Sequence, residues 1–485
     1  MSDEDEDDRR EDYNLRPRKK SKKKPQHIIE SSSSENEEEE PEGQVIDFVD
    51  LINGIINGGH SLEPEEAPMT DNEKYYNSLS EEEKRILRET EERINKINFS
   101  TIPLKYKVLE SNLEDKSKAL LMQKVTFFEK LQPHQGEYFK LKKYMDGILN
   151  IPFKKYKGLE ISNVMKSDIS FPSKIVKIRE FISNLRSKLD SGTYGQIDAK
   201  NTIIEIVAKW ITNPMAQGNI IGLCGVPGCG KTTLIKKGMS SALGLPFAFI
   251  PLGGSMTSTS LEGSNYTYEG ARWGRIVDIL MEHKCMNPIL FFDELDKIPE
   301  DKFGDEITAF LIHLTDPSQN NSFHDKYFSG IDFDLSKCFI IFSFNDVNKI
   351  NHVLRDRISV VNLKGFKLKE KITIARDYCL DNVCKNIGID RGIIKIPNET
   401  LKRIITTFCP EKGVRKVEQC LNSLVMKINL FHITRDITNL NLKDLKYFKD
   451  LSIPYIIKPE LAVKLLESVY GKEDNTDMSY KMIYN

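Results

Sequence analysis

The chain has 485 residues, room for roughly three domains of ordinary size, so a peptide or a small stapled scaffold is excluded. Its 70 Lys and Arg offset 72 Asp and Glu to a formal charge of −2, which excludes a global basic field drawing the whole molecule onto nucleic acid or anionic lipid. No run nears the ~20 apolar residues of a membrane span. The first residues are the acids Asp3 to Asp8 instead of a secretory or transit pattern, so the expected location is intracellular, in cytoplasm or nucleus, neither secreted nor in a membrane.

Residues 1 to about 70 read as a disordered charged tail, because acidic blocks, a basic block and Ser31 to Ser34 leave too few apolar groups to offset chain entropy. Within it, Arg16 to Lys24 is nearly continuous positive charge, either a solvated run or a nuclear-address or nucleic-acid patch. Val45 to Ile56 is apolar enough for a partner-binding helix. Residues 75–188 are expected to be mainly helical. Ser80 with Glu83 forms a capping box, and Glu81 with Arg85 and Glu89 with Arg93 are spaced as i,i+4 pairs. Tyr138, Leu141, Met145 and Ile148 share one helical face that stops before Pro152.

From Ile220 the pattern changes to short β-branched and aromatic runs alternating with helices: Ile220 to Cys224, Phe247 to Leu252, Ile289 to Phe292, Phe339 to Phe344 and Ile358 to Leu363. Such alternation predicts an α/β domain over 189–364 with a parallel sheet covered on both faces. Strands are expected to cease after Lys364. Amphipathic helices at Lys369 to Ile387, Glu399 to Phe408 and Val414 to Phe431 predict a small helical domain over 365–434, with 435–485 as a C-terminal extension. All 8 cysteines lie at or after Cys224 in no zinc-module spacing, which reads as reduced thiols.

The strand Ile220 to Cys224 runs into Gly225-Val226-Pro227-Gly228-Cys229-Gly230-Lys231-Thr232, followed by Thr233 and a helix, a complete phosphate-binding P-loop, or Walker A motif. Its glycines turn backbone N–H groups toward phosphate oxygens, the helix start adds its positive dipole end, and Lys231 supplies a point charge. Thr232 would hold Mg²⁺ through its hydroxyl. Ile289-Leu290-Phe291-Phe292-Asp293-Glu294 supplies the Walker B half: Asp293 would anchor the Mg²⁺ water shell and Glu294 would polarise the attacking water. ATP and Mg²⁺ are therefore the expected cofactors.

These motifs, with Leu252-Gly253-Gly254, Thr267-Tyr268-Glu269-Gly270, Asp293 to Lys297, Gly304-Asp305, Thr315 to Asn320 and Phe333 to Ser336, give a sequence that resembles the AAA+ ATPases, and specifically the ATPase module of Lon proteases. The likeness is dense from about Tyr194 to Cys420 and weaker through Glu137-Tyr138 and Leu149 to Phe153. It implies a P-loop core with a helical lid. It implies that Asn345 is sensor 1, that Arg357 is the arginine finger reaching a neighbouring subunit, with Arg355 as a competitor, and that Arg415 is sensor 2. Tyr194-Gly195 would pack beside adenine. Because a finger works across an interface, the resemblance implies a homo-oligomeric ring, a hexamer.

Lon carries a Ser-Lys peptidase after the lid; here 51 residues follow Thr434 with no suitable serine and lysine, so no peptidase is expected. The pore-loop pair of Lon is aromatic then aliphatic; Tyr268 keeps the aromatic and Glu269 replaces the aliphatic, with Phe303 as a second pore-loop candidate. The leading expectation is an ATP-driven motor that remodels or unfolds protein clients. The alternative is a nucleic-acid motor anchored by Arg16 to Lys24, which Arg272 and Arg275 would favour, and a third is a nucleotide-gated scaffold. An Asn-, Ile- and Lys-rich chain of this kind looks like the stand-alone Lon-like ATPases of large DNA viruses, which extends the expected location to a host cell or virion.

Overall fold

The computed structural model describes residues 70–98, 102–159, 161, 170–213, 220–254, 257–434 and 453–471. The basic run Arg16 to Lys24 and the segment Val45 to Ile56 lie outside the described residues. The chain divides into two compact units, residues 1–98 and 99–485.

In the first unit, helices Asp71–Ser78 and Glu81–Asn98 each begin at a side-chain cap. The capping box at Ser80 forms as expected: Ser80 N donates to Glu83 Oε2 at 2.9 Å, and Glu83 N donates to Ser80 Oγ at 3.4 Å. The expected i,i+4 ion pairs do not form among the described residues. Glu81 takes Lys84 at 3.0 Å and Glu82 takes Arg85 at 2.7 Å, because i,i+3 neighbours lie equally close on a helix and compete for the same carboxylates. Arg88 points back to the Tyr76 hydroxyl.

The second unit is built on five parallel strands, β1 (Ile220–Gly225), β2 (Phe247–Pro251), β3 (Ile289–Asp293), β4 (Phe339–Phe344) and β5 (Ser359–Leu363), in the order β2-β3-β4-β1-β5. Alternate residues of one strand enter two different cores. Leu290, Phe292, Ile340 and Phe342 belong to one, while Ile289, Phe291, Phe339 and Ile341 belong to the other. This explains why β3 and β4 at the centre of the sheet read as continuous apolar runs, both faces being covered, whereas the edge strands β2 and β5 keep exposed positions such as Phe249 and Val360.

The first core is completed by helices preceding the sheet. Leu121 and Val125 of helix Asp115–Phe128 and Leu141, Tyr144, Met145 and Ile148 of α1 (Gly136–Asn150) pack with Phe328, Phe333 and the sheet residues. α1 buries the face read from the sequence and stops two residues before Pro152. The second core is covered by helix Phe171–Gly192, by α2 (Ile197–Thr212) and by the helix that follows β1, α3 (231–243), whose middle, Leu234–Ser240, has π-type hydrogen bonding.

Two further helices, α4 (Arg275–His283) and α5 (Lys302–Thr315), add their apolar faces to the first core. Beyond β5 comes a helical lid with its own core, formed by residues 368–387, α6 (Asn398–Phe408) and α7 (Arg415–Thr434). Strands do not cease entirely after Lys364. Ile394–Lys395 pairs in parallel with Tyr455–Ile456, a two-residue ladder too short to leave a periodic signal. α8 (Pro459–Tyr470) then places Ala462, Leu465 and Leu466 in the lid core. The end of the described chain is thus part of the lid.

Candidate nucleotide-binding site

β1 ends at Gly225, the loop 226–230 turns, and α3 begins at Lys231. Here a cavity of about 440 Å³ collects Pro227, Gly228, Gly230, Lys231, Thr232 and Thr233 from the loop and Asp293 and Glu294 from the end of β3. Asn345 reaches it from beyond β4, and Val414, Arg415 and Glu418 from the lid. Residues as far apart in sequence as Pro227 and Glu418 thus line one space.

The Lys231 ammonium is surrounded by neutral oxygens. It donates to Gly225 O, to Phe344 O at 3.2 Å and to Asn345 Oδ1 at 2.7 Å. With no carboxylate neutralising it, its charge remains available to an anion. Cys229 is fully buried behind the loop, where burial pushes its thiol pKa up, so it is a packing residue and not a nucleophile. Gly225 and Val226 likewise do not line the cavity.

Glu294 sits in the left-handed region at φ 60, a conformation costing about 1–3 kcal/mol for a residue with a side chain. The turn aims its carboxylate back toward β2. A Cβ added at Gly253 would lie 2.4 Å from Glu294 Oε2, so only glycine leaves that carboxylate room. Asn345 is held from behind by Asp296, whose Oδ2 accepts from Asn345 N at 3.1 Å and from Asp346 N at 3.3 Å. Asp296 is buried, and sequence reading passed over it because a buried acid looks like its exposed neighbours in an acidic stretch.

The lid meets the P-loop through a backbone hydrogen bond and close backbone packing. Val414 N donates to Gly228 O at 3.1 Å, and a Cβ on Gly413 would lie 2.1 Å from Pro227 O, which brings Arg415 to the cavity rim. Buried Lys371 braces the turn that precedes this contact by donating to Cys409 O at 3.1 Å and to Glu411 O.

Tyr194 lines an adjoining cavity of about 340 Å³ that shares Gly230, Thr233, Val414 and Glu418 with the first. Its ring meets Tyr378 edge-on at 6.4 Å. Gly195, at φ 65, lines neither of these two cavities. The turn carrying this pair is fixed by buried Lys200, which bonds Asp190 Oδ1 at 2.8 Å and Thr193 O. Gln196, another residue missed in the sequence, donates to Cys229 O at 3.3 Å and to Lys364 O at 2.9 Å and accepts from Lys364 N at 3.2 Å.

Four predicted residues lie elsewhere. Arg357 is 30% exposed, outside the cavity, with Nη1 on Asp316 Oδ2 at 2.9 Å and on Ile312 O at 3.2 Å. Tyr268, 66% exposed, and Glu269 occupy the tip of a loop closed by a 2.9 Å bond from Ser264 N to Arg272 O. Phe303, 60% exposed, is on the first turn of α5. Arg275 is not a free cation: it pairs with Asp278 at 2.7 Å and Glu282 at 2.9 Å. The eight cysteines are free thiols. Among the described residues no helix is long and apolar enough to cross a membrane.

Residues 221–365 match the family described as "ATPase family associated with various cellular activities (AAA)". A "Lon protease homolog" of Acanthamoeba polyphaga mimivirus is 35% identical over 352 residues, covering 72% of this chain and 33% of the relative. The "Lon protease" of Parabacteroides distasonis is 30% identical over 346 residues, covering 71% of this chain and 38% of its own length. The chain therefore spans between 23% and 38% of the length of the curated relatives compared with it. Among solved structures, a closed-state reconstruction of Hsp104 with ATPγS and FITC-casein aligns over 66% of this chain and 61% of that chain at 16% identity, with a TM-score of 0.44, too distant to add to the assignment. Sheet order, P-loop, lid and relatives agree: this chain contains a Lon-like ATPase module of the AAA family.

Proposed function

We propose that the chain is one subunit of a homo-oligomeric ring, a hexamer, which spends Mg²⁺-ATP to remodel or unfold protein clients and whose 485 residues cut no peptide by themselves. One observation carries the chemistry. Lys231, Thr232, Asp293, Glu294, Asn345 and Arg415 converge on one cavity. Phosphoryl transfer to water requires the charge on the phosphate oxygens to be neutralised while water is held in line. Lys231 exchanges its neutral partners for the β- and γ-phosphates, Glu294 polarises the water, and Asn345 helps to hold it. The oxygen donors Thr232 and Asp293 suit a hard cation, and Mg²⁺ held there would neutralise charge on the β- and γ-phosphates. Arg357, outside its own pocket, serves the neighbouring subunit, where such a finger contributes about 10³–10⁵ in rate.

Protein is favoured over nucleic acid as the client by the exposed Tyr268 beside the acidic Glu269 and by the pairing of Arg275 with two acids. The location proposed is intracellular, in cytoplasm, nucleus or virion. The test uses two variants. Lys231→Ala is expected to lose ATP binding and turnover, and Glu294→Gln to keep binding while turnover falls at least about 100-fold. The ATP-loaded Glu294→Gln protein should retain polypeptide after gentle purification. Retention of nucleic acid alone would replace the client assignment, and unchanged turnover would overturn the role of Glu294.

A further inference from the structure

The arginine assigned above as the finger is gripped at one point only. Its Nη1 donates to Asp316 Oδ2 and to Ile312 O, at 2.9 and 3.2 Å, so the Nε and Nη2 edge of the guanidinium is left for an anion. Asp316 is itself fixed. It caps the C-terminal end of α5, its backbone N donating to His313 O at 3.2 Å, and its Oδ1 accepts from Ser318 N at 2.9 Å and Ser318 Oγ at 2.6 Å. Gln319 Nε2 adds a longer bond to Oδ2 at 3.4 Å. The carboxylate thus uses one oxygen to lock its own turn and the other to hold Arg357. Arg355, exposed on the same short helix His352–Asp356, makes no such ion pair.

We propose that Asp316 is the positioning residue of the arginine finger, holding Arg357 through Nη1 so that its free edge is presented to the neighbouring subunit's nucleotide. The proposal rests on the finger role of Arg357. An arginine side chain has several rotatable bonds, and a finger that must search for the γ-phosphate forfeits much of its effect; one fixed anchor removes that search without occupying the edge that works. The bonds from Ser318, followed by that from Arg357, hold the Asp316 carboxyl down to about 2, so the clamp stays ionised through any assay range.

The experiment compares Asp316→Ala, Asp316→Asn, Arg357→Ala and Lys231→Ala as full chains, measuring ATP turnover, affinity for a fluorescent ATP analogue and the melting curve, alone and in mixtures. Asp316→Ala is expected to lower turnover on the order of 10- to 100-fold with analogue affinity within about twofold of the parent. Asp316→Asn, which keeps an acceptor oxygen, should lose less. Mixing either with Lys231→Ala protein should recover activity, since an intact pocket then meets an intact finger; a purely structural defect would not recover. If Arg357→Ala is crippled and rescued by Lys231→Ala while the Asp316 variants turn over normally, or are slow and not rescued, the positioning role is wrong and the finger stands. If Arg357→Ala turns over like the parent, the finger reading fails and the positioning role with it.

Discussion

Gly253 and Glu294 are neighbours only in space, and their separation in sequence hides a constraint. Glu294 adopts its left-handed turn, and its Oε2 occupies the position a Cβ at Gly253 would need. Gly253→Ala therefore leaves the backbone intact but displaces a flexible carboxylate. Turnover is expected to fall about tenfold or more with ATP affinity and melting temperature close to the parent. Single-turnover hydrolysis beside equilibrium binding checks this, and an unchanged rate would show that Glu294 acts from another position. At this scale the sequence motifs picked out Lys231, Asp293 and Glu294, which the structure brings to one cavity. They did not disclose those that act by placement. Asp296, Gln196 and Lys371 are ordinary polar residues until a specific backbone partner, and for Asp296 and Lys371 burial, gives them a task.

The elements were legible wherever burial imposed a period. The five strands of the sheet follow from short apolar runs and the buried face of α1 from apolar spacing, because covered strands, fully so at the centre of the sheet, and an amphipathic helix admit few other sequences. Loops are held by single polar groups that leave no period. The loop bearing Tyr268 runs between Gly263 and Gly274, and buried Asp325 fastens its end, accepting from Gly274 N at 2.7 Å, Tyr327 N at 2.9 Å and Phe328 N at 3.4 Å. From α1, Glu137 accepts from the Tyr266 hydroxyl at 3.2 Å and Lys143 donates to Ala271 O at 3.2 Å. Burial outweighs the three N–H groups and lifts the Asp325 carboxyl from 3.8 to about 6. The folded chain then binds this proton more tightly than the unfolded chain does. The stability it contributes is complete below the ordinary value and is lost as pH rises through about 6. The melting temperature of the parent relative to Asp325→Asn should accordingly gain between pH about 7.5 and about 5. A difference that is flat, or that shrinks on acidification, would contradict a buried, proton-holding Asp325.

For the molecule as a whole, the lid closes only with residues distant from its main helices. Tyr455, Ile457, Ala462, Leu465 and Leu466 are fully buried in its core, and Thr400 Oγ1 donates to Ile457 O at 2.7 Å. Each large apolar side chain contributes about 1.5–3 kcal/mol on burial, so a chain ended at Thr434 forfeits more than a lid of this size can spare. Such a truncation is expected to lose hydrogen-exchange protection over α6 and α7 and to bind ATP weakly, because Arg415 is carried by α7. Retained protection would mean that the lid core is complete without α8. The sequence suggested an extension here because the segment beyond Thr434 has no catalytic motif and its strand is two residues long.

Gln196 gives the lid a fixed axis. Its carboxamide grips both backbone groups of Lys364, where the chain leaves the sheet, and also touches the P-loop at Cys229 O. Two residues later Phe366 N is bonded to Lys412 O at 2.9 Å, on the turn that delivers Gly413 to the P-loop. The crossing from sheet to lid is thus pinned at both ends within three residues. A swing that keeps these bonds is a pivot with Gln196 at its axis. In the ring proposed above, a tilt of the lid about this axis would move Arg415 relative to the P-loop and so open or close the cavity that both line.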